Sequence, residues 1–194
     1  NQRFSLEEGE LAVLRPEGVT VYGADGCVVE KVPETADVDL GAAEKGGWPH
    51  FMLKEIHEQP EALRRTVLPR LRDGLPYLEG DGFTDELLKN LSSLRIVACG
   101  TAMHAGMVGK TMIESLARVP VTVEIASEFR YCNPILRPDE PVLCVSQSGE
   151  TADTLAALRL AKEQNIPTLS IVNVKGSALS READAVFYTH AGPE

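Results

Sequence analysis

The sequence predicts an α/β fold: a three-layer αβα sandwich on a parallel sheet of roughly five strands, preceded by a short β meander and a linker. Three observations carry that prediction. From Leu94 onward, short apolar runs alternate with segments whose apolar residues recur at helical spacing. Two of those runs pass directly into clusters of small polar residues that open a helix, at positions 100–106 and 146–151. The first 47 residues lack this alternation and read as β-rich runs followed by an acidic, Gly-containing stretch.

In order, Leu11 to Leu14 and Gly18 to Tyr22 are β-rich runs separated by Arg15-Pro16-Glu17, and Ala24-Asp25-Gly26 turns into a run from Cys27 to Val32. About three strands bury little apolar area by themselves, so residues 1–32 are expected to belong to a domain whose other strands lie upstream. Residues 33–47 have the composition of a linker, which places a domain boundary before the segment 48–194. Trp48 to Leu63 opens helically; Pro60 is expected to break that helix and start another over Glu61 to Leu71, and Thr84 to Leu91 gives a short helix. His50 and His57 have no acidic partner pattern and read as surface or interface residues.

Leu94 to Cys99 is the first strand of the main domain, followed by Gly100-Thr101-Ala102-Met103-His104-Ala105-Gly106 and a helix to Leu116. Val121 to Ala126 is the next strand. Val142 to Val145 then meets Ser146-Gln147-Ser148-Gly149-Glu150-Thr151, and a helix with apolar positions Leu155, Leu158 and Ala161 follows. Thr168 to Val172 and Ala185 to Thr189 complete the sheet, joined through Gly176-Ser177-Ala178-Leu179-Ser180. Ligands of such sheets sit beyond the carboxyl ends of strands, where successive connections diverge to opposite faces. Both polar turns lie at carboxyl ends and are expected to meet there.

Two readings of the 146–151 turn compete. Ser148 or Thr151 caps the following helix, as Ser and Thr commonly do. Alternatively the turn is a phosphate cradle, because a helix start carries amides without intrahelical partners and a dipole that favours an anion. Three hydroxyls and an amide within six positions favour the cradle. Glu150 is expected to serve the dipole of the helix that follows, His104 to pack or cap at its helix start, and His190 to stand at the edge of the site.

Composition narrows the function classes. The 194 residues are 43% hydrophobic, enough for one sizeable core with a smaller appendage. A net charge of −10 without a Lys/Arg-rich run makes a nucleic-acid backbone a poor electrostatic match. Residues 1–60 hold 12 acidic against 5 basic side chains, a net −7, which leaves −3 for the remainder; an anionic small molecule suits the later part better. Cys27, Cys99, Cys132 and Cys144 have no C-x-x-C spacing and read as reduced, cytoplasmic cysteines. No apolar run approaches a membrane span, and residues 1–10 lack the regions of a signal peptide. Without an initiator Met, and with an abrupt end at Ala191-Gly192-Pro193-Glu194, the chain is expected to be a piece of a longer one.

Cys-Gly-Thr-Ala-Met-His-Ala-Gly at 99–106, Ala-Ser-Glu-Phe-Arg-Tyr at 126–131, Ser-Gln-Ser-Gly-Glu-Thr-Ala-Asp-Thr at 146–154 and Arg-Glu-Ala-Asp at 181–184 together resemble a known family. They are similar to the first sugar isomerase (SIS) domain of the isomerizing glutamine-fructose-6-phosphate aminotransferases, the glucosamine-6-phosphate synthases. Phe51 to Pro60, FMLKEIHEQP, resembles the family's entry into its isomerase half, and Gly192-Pro193-Glu194 its approach to the second SIS domain. The resemblance implies an SIS-type sheet, with residues 1–32 as the tail of a glutaminase domain. It implies that Ser146, Gln147, Ser148 and Thr151 hold the phosphate of fructose 6-phosphate or glucosamine 6-phosphate, with Thr101 and Ala102 closing the site. It further implies ammonia transfer and sugar isomerisation in amino-sugar biosynthesis, a cytoplasmic homodimer, and no metal or pyridoxal cofactor. The family's glutaminase Cys and its isomerase Lys, Glu and His fall outside this stretch, so no catalytic residue is expected within it.

Ala102 departs from the pattern, because the family commonly places Ser there. One lost neutral hydrogen bond costs about 0.5 to 1.5 kcal/mol, which weakens binding without abolishing it. A regulatory SIS module that senses a sugar phosphate, and a stand-alone SIS isomerase or deglycase, are the alternatives; the acidic meander ahead of Gly46 and the KEIHEQP segment disfavour them.

Overall fold

A computed structural model describes residues 2–35 and 44–193 and divides the chain into two compact units, residues 1–44 and 45–192. The expected linker at 33–47 falls largely on residues 36–43, outside the described residues.

In the first unit, β2 (Leu11–Arg15), β3 (Gly18–Tyr22) and β4 (Val28–Val29) form an antiparallel meander, and β1 (Gln2–Arg3) pairs with β5 (Glu34–Thr35). The third strand is shorter than the expected run from Cys27 to Val32, because the Asp25 side chain accepts the Cys27 amide at 3.0 Å and holds that residue in the turn. Within the meander only Val21 is fully buried, whereas Leu11, Leu14, Val28 and Val32 are exposed.

The second unit is built on five parallel strands in the order β12-β11-β10-β8-β9: β8 (Leu94–Ala98), β9 (Val121–Ile125), β10 (Val142–Ser146), β11 (Thr168–Val172) and β12 (Ala185–Tyr188). Consecutive residues of these strands feed opposite faces. Val97, Val142, Cys144 and Val172 pack against Phe129 of α4 (Ala126–Tyr131), Ala157, Leu158 and Ala161 of α5 (Ala152–Glu163), and Leu179 of α6 (Ala178–Glu182). Leu94, Ile96, Leu143 and Leu169 face the other way, toward Phe83, Leu87 of α2 (Asp85–Lys89) and Ile113 of α3 (Gly100–Leu116). Two apolar faces covered by helices make the three-layer sandwich, and explain why the strand sequences are apolar without alternation.

Two features differ from expectation. Pro60 does not break the first helix: α1 runs unbroken from Phe51 to Val67 with Pro60 inside it, and a 3₁₀ turn at Leu68–Arg70 follows. Proline removes one intrahelical bond, yet its fixed φ suits a helix, and tertiary anchoring holds the far half. Thr66 donates its hydroxyl to Ala62 O and Thr189 O, and Arg70 donates to Thr66 O at 2.6 Å and pairs with Asp81. A β6–β7 hairpin, Leu71–Arg72 with Leu75–Pro76, begins at Leu71, where the second helix was expected to end, in a stretch for which no element was expected. Its turn, Asp73-Gly74 with φ 53° and 79°, is a hairpin signal that the sequence reading left unused.

The 181–184 segment proves to be structural. Asp184 accepts the Thr168 amide and hydroxyl, both at 2.8 Å, and pairs with Lys162, so it pins the start of β11 to the end of α5. Burial pushes its carboxyl up, but the Thr168 and Lys162 bonds outweigh burial and hold it below the ordinary aspartate range.

Candidate functional site

In the strand order, β9 lies on one side of β8 and β10 on the other. The connections therefore diverge between β8 and β10, which is where an open parallel sheet leaves a crevice at its carboxyl edge. Val145 of β10 pairs in register with Ala98 of β8, so the turns that follow these strands start side by side. Thr154, fully buried in the first turn of α5, points its hydroxyl at the Cys99 sulfur, 3.9 Å away. The two polar turns do meet at one place.

Ser146 is the last residue of β10 and is buried. Its hydroxyl accepts the Gly149 amide at 3.0 Å and lies 3.2 Å from the Thr151 hydroxyl. Ser148 is half-buried and accepts the Glu150 amide at 3.2 Å, which leaves its own proton to donate outward. Gln147 is exposed; its carbonyl accepts the Asn173 amide at 3.0 Å, fixing the backbone while the side chain stays in solvent. Thr151 is the N-cap residue of α5, but its side chain makes no cap bond. The capping explanation of this cluster thus fails at Thr151, and the first-turn amides of α5 keep their unspent donor capacity.

Gly149 makes the turn possible. Its φ is 68°, and a Cβ there would stand 2.1 Å from Ser177 Oγ, so the backbone packs directly on Ser177. Ser177 is 2% exposed and its hydroxyl has no partner among the described residues. The Leu179 amide donates to Gly149 O at 3.0 Å.

The two carboxylates beside the turn are both engaged. Asp153, in the first turn of α5, pairs with Arg130 at 3.3 Å. Glu150 does not serve the α5 dipole as expected. It lies before the N-cap, and its side chain accepts the Ala178 amide at the start of α6 at 2.8 Å. Neither charge stands unmatched against an anion at the α5 start.

Across the crevice, Thr101 is exposed and Ala102 half-buried in the first turn of α3, whose N-cap residue Cys99 makes no side-chain cap bond. His104 is exposed on α3 instead of packing or capping, because its position falls on the solvent side of that helix. His190 follows β12 at the edge of the sheet, two strands from β10. Burial lowers its imidazole pKa, and nearby Lys175 and Arg70 lower it further. Cys144, inside the core beneath the turn, has its thiol pushed up to about 12 by burial and is unreactive in the folded chain. Among the described residues no group of three or more His, Cys, Asp or Glu is placed to hold a metal, and no helix is long and apolar enough to cross a membrane.

Sequence reasoning missed Thr154, Ser177 and Asn173. Asn173 holds the turn through its backbone, and its side chain binds the segment after β12, accepting from Thr189 Oγ1 and the Ala191 amide and donating to Gly192 O. Thr154 carried a signal as a polar residue on the apolar stripe of α5. Ser177 and Asn173 carried none.

A parallel sheet with the 2-1-3-4-5 strand order, and a hydroxyl-lined turn at its switch point, define a doubly wound α/β domain with a crevice at its carboxyl edge. The SIS domain family model matches residues 87–194, and the chain belongs to that family. Its relatives include the isomerizing glutamine–fructose-6-phosphate aminotransferases of Clostridium acetobutylicum, 50% identical over 98% of this chain, and of Symbiobacterium thermophilum, 50% identical over all of it. The chain spans 32% of the length of each. Among solved structures it is similar to the C-terminal domain of the Francisella tularensis glucosamine-fructose-6-phosphate aminotransferase, at 47% identity and TM-score 0.72, covering 78% of this chain and 42% of that one.

Proposed function

We propose that the crevice between β8 and β10 binds the phosphate of fructose 6-phosphate or glucosamine 6-phosphate. The chain then serves as the first SIS domain of an isomerizing glutamine–fructose-6-phosphate aminotransferase, with residues 1–32 as the tail of its glutaminase domain. One observation carries this reading: Ser146, Ser148 and Thr151 gather their hydroxyls around the uncapped start of α5. These are neutral donors plus a helix dipole, a set that holds an anion without a cation. Gln147 and Thr101 are exposed on the two turns and close over the phosphate and the sugar, while Ala102 contributes contact without a hydrogen bond.

In this reading the stretch orients substrate, while proton transfer and ammonia delivery fall to other parts of the protein. Assembly as a cytoplasmic homodimer belongs to the same proposal.

The test is ligand-dependent melting of the 194-residue chain. Fructose 6-phosphate is expected to raise the melting temperature and unphosphorylated fructose to leave it unchanged. Equal shifts from both would remove the phosphate cradle.

A further inference from the structure

A carboxylate is an odd neighbour for a phosphate-binding turn, because like charges in a partly desolvated crevice repel. Glu150 nevertheless sits inside the turn. Its side chain accepts the Ala178 amide at 2.8 Å, and one residue on either side the same two elements are joined again by the Leu179 amide on Gly149 O at 3.0 Å. Between these bonds Gly149, in the left-handed region, is seated on Ser177 with no room for a side chain. The turn and the start of α6 are therefore clasped at three consecutive points.

We infer that Glu150 is a positioning residue: its carboxylate fastens the 146–151 turn to α6 and so sets the direction of the Ser146 and Ser148 hydroxyls, without touching the ligand. Two connections make the effect local. The Glu150 amide is the donor to Ser148 Oγ, and the Gly149 amide the donor to Ser146 Oγ, so releasing residue 150 loosens both hydroxyls at once. The carboxylate accepts an amide at the start of α6, where a negative charge is favourable. This inference rests on the phosphate reading of the turn.

Coulomb's law and the clasp predict opposite signs, which makes them separable. If Glu150 acted through its charge alone, removing it would tighten phosphate binding. If it acts as the clasp, Glu150→Ala weakens binding of fructose 6-phosphate and of inorganic phosphate by about three- to tenfold, the scale of one lost charge-assisted bond felt indirectly. Glu150→Gln, which keeps a carbonyl oxygen for the Ala178 amide, binds as the parent chain does or tighter. Ala178→Pro deletes the same bond from the other side. Proline is tolerated at the first helical position, and Ser177 before it is extended at φ −65° and ψ 161°. Its loss of affinity should match that of Glu150→Ala, and the two should not add.

Amide hydrogen exchange reads the clasp without ligand: in Glu150→Ala the Gly149 and Leu179 amides should exchange faster, and in Glu150→Gln they should not. Should the parent chain bind no phosphate, the function proposed above fails while exchange still decides the clasp. Unchanged exchange in Glu150→Ala, or affinity equal to or above the parent's in either Glu150→Ala or Ala178→Pro, overturns the inference.

Discussion

The turns after β8 and after β10 share a plan, strand then small polar residues then helix, and neither helix start receives a side-chain cap. They differ in what holds them. The β10 turn is fastened by Ser146 and Glu150 and by backbone bonds from Asn173 and Leu179, and it is packed on Ser177. The β8 turn carries Gly100 and Thr101 in solvent, and a Cβ at Gly100 would meet nothing within 4 Å. On the reading proposed above, one site would pair a firmly held half that orients an anion with an open half that meets what the anion is attached to. That reading would put pre-organisation where charge is recognised, because ordering a donor before binding removes an entropic cost from the binding step.

The largest test of this contrast is at the two glycines, which share a left-handed φ, 68° at Gly149 and 56° at Gly100. Gly149→Ala adds a clash with Ser177 to backbone strain, and should destabilise the chain by about 2 to 5 kcal/mol in chemical denaturation. Gly100→Ala meets strain alone and should lose only about 1 kcal/mol. Equal losses would show that the β10 turn is no more rigid than its counterpart.

Next in size is Ser146→Ala, which strands the Gly149 amide beneath the turn. It should lower stability by about 1 to 3 kcal/mol and phosphate affinity with it. Ala102→Ser, in the open half, should strengthen fructose 6-phosphate binding by about two- to tenfold in calorimetry, the worth of one neutral bond. Smallest in stability is Ser148→Ala: unfolding should shift by less than about 0.5 kcal/mol, as for most half-exposed polar positions, while phosphate affinity falls. A large stability loss with unchanged affinity would make Ser148 a structural residue.

The strands and their turns were legible because each is a local pattern: Val142 to Val145 is apolar on both faces, and Ser146 to Thr151 is dense in hydroxyls. That the two turns share a crevice followed from their places at carboxyl ends. What the side chains do inside the turn was not legible, since it depends on contacts distant in sequence. Glu150 reaches an amide 28 residues away, and Gly149 is shaped by Ser177. Pro60 misled for a related reason: a local breaker was overruled by anchors at Thr66 and Arg70 that propensity does not register.

The full burial of Cys144 gives the molecule an internal clock of its own opening. A protonated thiol shut inside the central strand is alkylated only when the sheet comes apart, whereas Cys27 and Cys132 lie at the surface and react at once. With half-buried Cys99 replaced by Ser, counting the slow label against the two fast ones would therefore time opening of the second unit's sheet under native conditions, with no denaturant.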